Sequence, residues 1–238
     1  MTAAPIRDRS ALLAAGGLLV AVNVAARYGP AHAMLVLGPA SAAALIALAR
    51  RAGLPYRDMG LSRDRLRPGA VGAAVSVAAI VAVYAVALAV PATRDAFRDP
   101  RYQVPGAAAA LTAFVAIPLG TVLPEEVAFR GVLWGLIARR RGPLVATAVS
   151  SALFGLWHVL PSLRLRVNPA VAAVVGGGRF AVVAAVAGAV VVTGLAGVVL
   201  CELRRRTGSL LAPAGAHWAA NGLGALVAAA LAATAAGR

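Results

Sequence analysis

The sequence predicts an all-α membrane protein, a polytopic transmembrane helical bundle of about seven or eight spans. Three observations predict this fold class: 61% of the 238 residues are hydrophobic, only 13% are charged, and the mean hydropathy is +0.84. A soluble domain carries about 25% charged residues and cannot hide this much apolar surface in one core. Lipid must therefore be the solvent for much of the chain.

Apolar runs mark the individual spans. Each run is close to, or longer than, the roughly 20 residues that an α-helix needs to cross a bilayer. The candidate spans are residues 10–26, 28–49, 68–93, 102–138, 142–163, 180–201 and 207–237, the last long enough for a tilted helix or a broken pair. We expect one integral membrane domain over 1–238, in which 1–105 supplies N-terminal spans and 106–238 carries the polar motifs described below.

The basic charge of the chain lies mainly between the apolar runs. The 23 basic residues are all arginine, and the eight acidic residues leave a net charge of +15. Arginine beside spans is typical of charge-directed topology and of attraction to anionic lipid, and no aromatic-basic interleaving indicates base stacking. We therefore expect the lipid bilayer, and no nucleic acid, as a partner. The lysine-free, alanine-rich composition indicates a GC-rich bacterial genome, which places the multi-pass chain in a bacterial plasma membrane.

Two adjacent glutamates interrupt the fourth run. Glu125 and Glu126 are flanked on both sides by apolar residues. An ionisable group at bilayer depth costs about 2.5 to 3.5 kcal/mol, so such groups normally face a polar cavity and carry function. Glu126 also has a structural explanation, because Arg130 follows at the i+4 position of a favourable ion pair. Glu125 points about 100° around an α-helix from its neighbour and has no such cation, so its carboxylate is a candidate general base.

Later runs add two imidazoles and a carboxamide. His158 lies near the end of the fifth run, where a ring that merely bonds a backbone carbonyl is an equally good explanation. His217 and Asn221 share one helix face at i, i+4, and hydrogen bonding between helices is their structural alternative. A rise of about 1.5 Å per residue places all three at a depth similar to that of Glu125. The polar residues that we interpret as structural are His32, Asn23 and Asn168.

These groups together have the chemistry of a hydrolytic site. Two carboxylates, two imidazoles and a carboxamide can activate water, hold an oxyanion and protonate a leaving amine. The same groups could instead bind a divalent metal ion that performs the first two tasks.

Three segments carry a resemblance to a known family: E-E-V-A-F-R at 125–130, F-G-L-W-H at 154–158 and H-W-A-A-N at 217–221. In this order on successive apolar helices they resemble the E-E-x-x-x-R, F-x-x-x-H and H-x-x-x-N/B motifs of the CPBP family. That family comprises the CAAX prenyl protease type II enzymes and the bacteriocin-processing or abortive-infection-like intramembrane proteases. The resemblance implies a peptidase that hydrolyses a peptide bond of a membrane-associated protein or peptide. The linker 161–178 matches no motif of the family.

The resemblance also implies a role for each residue of the site. Glu125 with His158 would activate the attacking water, and Glu126 would be oriented by Arg130. The implied catalytic set is Glu125, Glu126, Arg130, His158, His217 and Asn221.

The resemblance also implies a role for the last motif and raises the question of a metal cofactor. By resemblance, His217 with Asn221 would stabilise the oxyanion. The family is often called a metalloprotease, and Glu125, His158 and His217 could supply the three protein ligands of a catalytic zinc. Because an H-E-x-x-H motif is absent and these ligands come from three helices, we favour water activated by Glu and His without a metal, with zinc as the alternative.

Two functions of other classes would use the same polar residues. A proton- or ion-coupled transporter also carries ionisable groups at bilayer depth, but it is expected to break helices at corresponding positions of two halves. Here the polar groups lie only in the second half. A non-catalytic membrane scaffold is the other alternative, and the intact motifs argue against it.

Overall fold

The computed structural model describes residues 4–30, 32–104, 106–163 and 168–236, without the side chains of 4–8, 101, 169, 179 and 236. All regular structure in these ranges is helical, which confirms the predicted all-α class. The α-helices are α1 (Ala4–Tyr28), α2 (Met34–Arg51), α3 (Leu66–Ala89), α4 (Pro91–Arg94), α5 (Gly106–Leu111), α6 (Leu123–Glu125), α7 (Trp134–Trp157), α8 (Val159–Ser162), α9 (Pro169–Val175), α10 (Arg179–Thr207), α11 (Leu211–Trp218) and α12 (Gly224–Ala236). Short 3₁₀ turns cover Arg63–Arg65, Asp95–Phe97 and Pro100–Tyr102.

Six helical stretches of the described chain are long and apolar enough to cross a membrane. They are Arg9–Tyr28, Met34–Arg51, Arg63–Ala89, Gly106–Ser162, Phe180–Thr207 and Leu211–Ala235. The fourth stretch has 57 residues and is broken at Gly142, where the backbone leaves the helical region with φ 80° and ψ 169°. The predicted division between the runs 102–138 and 142–163 therefore falls at a real interruption of the helix.

The backbone around the first and last motifs is wound as π-helix. The π segments are Thr112–Ala116, Pro118–Val122, Glu126–Leu133 and Ala219–Leu223. Such segments are rare and occur frequently at functional sites. The sequence interpretation assumed ordinary α-helix here, and its angle of about 100° between neighbouring residues does not apply in the wider π turn.

Close helix packing positions the segment that carries the glutamates. Helix α2 lies against the π segment Pro118–Val122 and against α6, while α7 packs along α10. Two glycines make these approaches close: a Cβ at Gly38 would lie 2.2 Å from the Leu119 carbonyl oxygen, and a Cβ at Gly155 would lie 2.6 Å from that of Val190. Small residues at contacts between membrane helices permit this proximity of the backbones.

The main apolar core surrounds the π segment Glu126–Leu133. Phe129 and Val132 of this segment are buried together with Leu45 and Phe154. The outward faces of the bundle instead expose valine and leucine side chains, as lipid-facing surfaces do. The polar motif residues thus lie inside the bundle, and the apolar side chains on the outside face the bilayer.

Candidate active site

One carboxylate oxygen of Glu125 is fixed by a hydrogen bond, and the other has no hydrogen-bond partner among the described residues. The residue ends α6, and only 6% of its surface is exposed. Its Oε1 accepts a hydrogen bond of 3.0 Å from the indole N–H of Trp157. Its Oε2 is enclosed and has no hydrogen-bond partner among the described residues. A buried acceptor left in this state is costly, which is typical of a group that meets a water or a substrate.

Glu126 forms a fully buried ion pair beside it. Its Oε1 accepts hydrogen bonds from Nη1 of Arg130 at 3.1 Å and from Nδ1 of His217 at 2.7 Å. The guanidinium of Arg130 also stacks on Phe154, with its central carbon 3.9 Å from the ring centroid. The ion pair predicted from the i, i+4 spacing is therefore present, and the aromatic face stabilises its cation.

His217 lies between the two glutamates. Its Nδ1 is held by Glu126, and its Nε2 is 3.8 Å from Oε2 of Glu125. The second distance is too long for a hydrogen bond and short enough for one water to bridge.

His158 presents a defined ring nitrogen to the site. Its Nδ1 lies 2.8 Å from the carbonyl oxygen of Phe154. A carbonyl only accepts, so Nδ1 carries a hydrogen, and Nε2 is the ring nitrogen that this bond leaves available. The structural alternative for His158 was a bond to a backbone carbonyl, and the structure shows that bond together with a place on the cavity wall.

A cavity of about 1190 Å³ joins three of the predicted residues. Glu125, His158 and Asn221 all line it. The carboxamide of Asn221 makes no hydrogen bond to the described side chains or backbone, and so its donors are available to a ligand. His217 lies behind Glu125 rather than on this wall. The remaining lining is largely apolar and includes Val171 of α9, so the linker 161–178 contributes to the cavity; its residues 164–167 lie outside the described chain.

Two residues of the site were missed by sequence reasoning. Trp157 lies inside the F-G-L-W-H motif at 154–158, yet nothing in the sequence indicated that its indole is the hydrogen-bond partner of Glu125. Asn23 was interpreted as structural, but its Nδ2 donates to the Trp157 carbonyl over 2.7 Å and it lines the same cavity. The two residues are 134 positions apart, and no spacing rule connects them.

The other residues interpreted as structural occupy ordinary positions. Asn168 caps α9, since its Oδ1 accepts from the backbone N–H groups of Ala170 and Val171. His32 lies on the exposed connection before α2.

The arrangement does not provide a metal-binding group among the described residues. No three His, Cys, Asp or Glu side chains within the described ranges are placed to hold one ion. Catalytic zinc sites normally have three protein ligands. The Nδ1 atoms of His158 and His217 are bonded to a carbonyl and a carboxylate, so Nε2 is the nitrogen of each ring that could reach a ligand. The choice between zinc and water activated without a metal stays a prediction.

Fold and site together define the class of the protein: a multi-pass membrane peptidase with its polar site inside the helical bundle. Residues 107–223 match the family model for type II CAAX prenyl endopeptidase Rce1-like, a range that contains all six predicted site residues. Residues 107–223 are therefore a domain of this endopeptidase family, which confirms the resemblance inferred from the three motifs. No curated protein and no solved structure matches the chain.

Proposed function

We propose that this chain cleaves a peptide bond of a membrane-associated protein or peptide by means of a water molecule that Glu125 and His158 activate. One observation carries the proposal. Glu125 keeps an unpaired, enclosed oxygen beside a cavity that His158 and Asn221 also line. Amide hydrolysis needs a general base, a second group that orients the water and a donor to the oxyanion, which Glu125, His158 and Asn221 supply in this order.

The proposed reaction assigns each proton and bond. Glu125 takes a proton from water as the oxygen attacks the scissile carbonyl carbon, and the tetrahedral oxyanion accepts a hydrogen bond from the carboxamide N–H of Asn221. The oxyanion then reforms the carbonyl, the C–N bond breaks, and Glu125 gives the proton that it took from water to the leaving amine, which restores the base. We assign to Nε2 of His158, the ring nitrogen that the Phe154 carbonyl does not hold, the task of orienting this water together with Glu125.

The contacts of His217 support a different role from the one that the resemblance implied. The imidazole is bonded to Glu126 and faces Glu125, while Asn221 reaches the cavity from the next turn. We therefore propose that His217 orients Glu125. Glu126 and Arg130 fix His217 in turn, as a carboxylate fixes the ring of a catalytic histidine.

The proposed chemistry does not use a metal. The enclosed Glu125 oxygen and the two differently anchored imidazoles support a direct role of the side chains in water activation. The apolar lining of the cavity supports a substrate that approaches from the lipid layer, and a bacterial plasma membrane is the proposed location.

A matched pair of glutamate variants tests the function. Glu125→Gln keeps the size of the side chain and removes the base, whereas Glu202→Gln makes the same change at an ion-paired glutamate near the end of α10. Membrane peptides from cells that express the wild type, Glu125→Gln and Glu202→Gln would be compared by mass spectrometry at equal protein levels. We expect the cleavage products to disappear with Glu125→Gln alone. Wild-type cleavage by that variant would overturn the assignment.

A further inference from the structure

A second cavity, of about 420 Å³, lies at the arginine-rich end of the bundle. We call it the arginine cavity. Its wall combines the loop after α2, the helix before the break at Gly142, and the last turn of α10. The arginines that line it are Arg57, Arg65, Arg139, Arg204, Arg205 and Arg206. None of them belongs to the peptidase motifs.

Nearby carboxylates offset only part of this charge. Glu202 accepts hydrogen bonds from Arg205 and Arg206, and Asp64 lies 3.3 Å from Arg65. Asp58 is the acidic residue of the wall. Six arginines against these three carboxylates leave a charge of +3 around the cavity. Such a concentration of one sign attracts an anion.

Arg204 is an unusual member of the set because it is buried. Only 4% of its surface is exposed, and its Nη2 donates to the carbonyl oxygens of Arg57 at 3.3 Å and Asp58 at 2.9 Å. Its Nε is enclosed without a hydrogen-bond partner in the described chain. A buried charged donor without a partner is more costly than a neutral one. The guanidinium is nevertheless held in place, 5.2 Å from the ring centroid of Trp134.

The position of the arginine cavity matches the headgroup level of a bilayer. The stretch Phe180–Thr207 ends at it, and Met34–Arg51 ends a few residues before Arg57. Arginine next to a span is attracted to anionic lipid, and the planar guanidinium matches phosphate oxygens in a two-pronged geometry.

We propose that the arginine cavity binds the phosphate group of an anionic ligand, a chemistry shared by anionic phospholipid headgroups and free phosphate. Arg204 forms the fixed floor, and the exposed Arg57 supplies further donors at the rim. Arg139 adds positive charge there, while its Nη1 and Nη2 donate to the carbonyls of Gly53 and Ala52. Asp58 weakens the site, since its carboxylate faces the same space.

The test uses the full-length protein and two probes. Phosphatidylglycerol retention is measured by native mass spectrometry after release from lipid nanodiscs, and inorganic phosphate binding is measured calorimetrically in uncharged detergent. The double variant Arg57→Gln with Arg139→Gln removes two rim donors. Arg141→Gln is the matched control, because Arg141 is exposed, is two residues from Arg139 and lies outside the wall.

We expect the double variant to bind about 100-fold more weakly, since it removes two hydrogen bonds to a charged group and each contributes about tenfold or more. Arg141→Gln should equal the wild type, and Asp58→Asn should bind more tightly, which keeps the test informative if the double variant folds poorly. Retention of phosphatidylglycerol alone would show that the bound phosphate group belongs to a lipid headgroup. Binding of inorganic phosphate alone would show that the ligand is a soluble phosphate. Equal loss in Arg141→Gln, or no loss of either probe in the double variant, would overturn the proposal.

Discussion

The indole N–H of Trp157 donates to Oε1 of Glu125 across 3.0 Å, although the two residues are 32 positions apart on different helices. The carbonyl of the same Trp157 accepts from Asn23 of α1. Three separate helices therefore fix the orientation of the proposed base. A carboxylate held by one oxygen in this way cannot rotate its second oxygen away from the site.

Replacement of Trp157 by Phe should slow catalysis without unfolding the protein. The ring would still pack against Phe129, whose centroid lies 5.7 Å away, but Glu125 would lose its donor. We expect kcat to fall about tenfold with KM changed less than about twofold, because the lost bond to a charged group contributes about 1.5 kcal/mol or more. Trp134→Phe is the control, since it loses an indole bond to Thr147 and neither residue lines the cavity that Glu125 and His158 share. Equal losses in the two variants would indicate a packing effect instead.

A substitution of His158 that keeps its bond to the Phe154 carbonyl and removes Nε2 should leave the protein folded but reduce cleavage. In His158→Asn, the shorter amide can still donate to the Phe154 carbonyl, as Nδ1 does now over 2.8 Å, but nothing occupies the position of Nε2. We expect a folded protein with cleavage reduced at least about 100-fold, the usual scale of general acid-base catalysis. His32→Asn should behave as the wild type. Activity of His158→Asn within a few-fold of normal would show that Nε2 is dispensable.

Hydropathy and helix rise were sufficient to predict the membrane fold, because lipid permits only helices or closed barrels to span it. The break at Gly142 also followed from run lengths. The i, i+4 spacing predicted the bond between Glu126 and Arg130, which depends on one helix alone.

Contacts between helices could not be predicted in the same way. The bond of Asn23 to Trp157 and the bond of His217 to Glu126 depend on how whole helices pack and rotate, which residue spacing within one helix does not specify. The π-helical winding at Glu126–Leu133 changes side-chain directions as well, and no residue pattern in the segment indicated it.

Loss of Arg130 should destabilise the fold strongly. The side chain is fully buried, and its removal leaves Glu126 as a buried charge with His217 as its remaining partner. We expect Arg130→Met to reduce the free energy of unfolding by about 3 to 5 kcal/mol in a denaturant titration in detergent. Adding Glu126→Gln should recover part of this loss, since the uncompensated charge disappears. Arg141→Met is the control, because this position is exposed and the substitution should leave stability unchanged. An equally small effect of Arg130→Met would show that the buried ion pair does not stabilise the fold.

The contact between α2 and the segment before the glutamates should be sensitive to one methyl group. A Cβ at Gly38 would lie 2.2 Å from the Leu119 carbonyl oxygen, a backbone atom that cannot move without the helix. We expect Gly38→Ala to lower the thermal midpoint and the cleavage rate together, at a cost of about 1 to 3 kcal/mol in stability. Gly16→Ala is the matched control, because a Cβ there meets nothing within 4 Å and alanine favours the helix. A stable, fully active Gly38→Ala would contradict this helix contact.

Metal removal should leave the activity intact. In the proposed mechanism Glu125 and His158 activate the water directly, and the described residues offer no group of three ligands for one ion. Purified enzyme would be dialysed against a strong chelator, checked by elemental analysis for residual zinc, and assayed on the peptide bond identified with the Glu125→Gln comparison. We expect the rate to equal that of the untreated enzyme within error. A loss of activity that added zinc reverses, while the thermal midpoint stays constant, would show that the helices rearrange around a catalytic ion and would replace the metal-free mechanism.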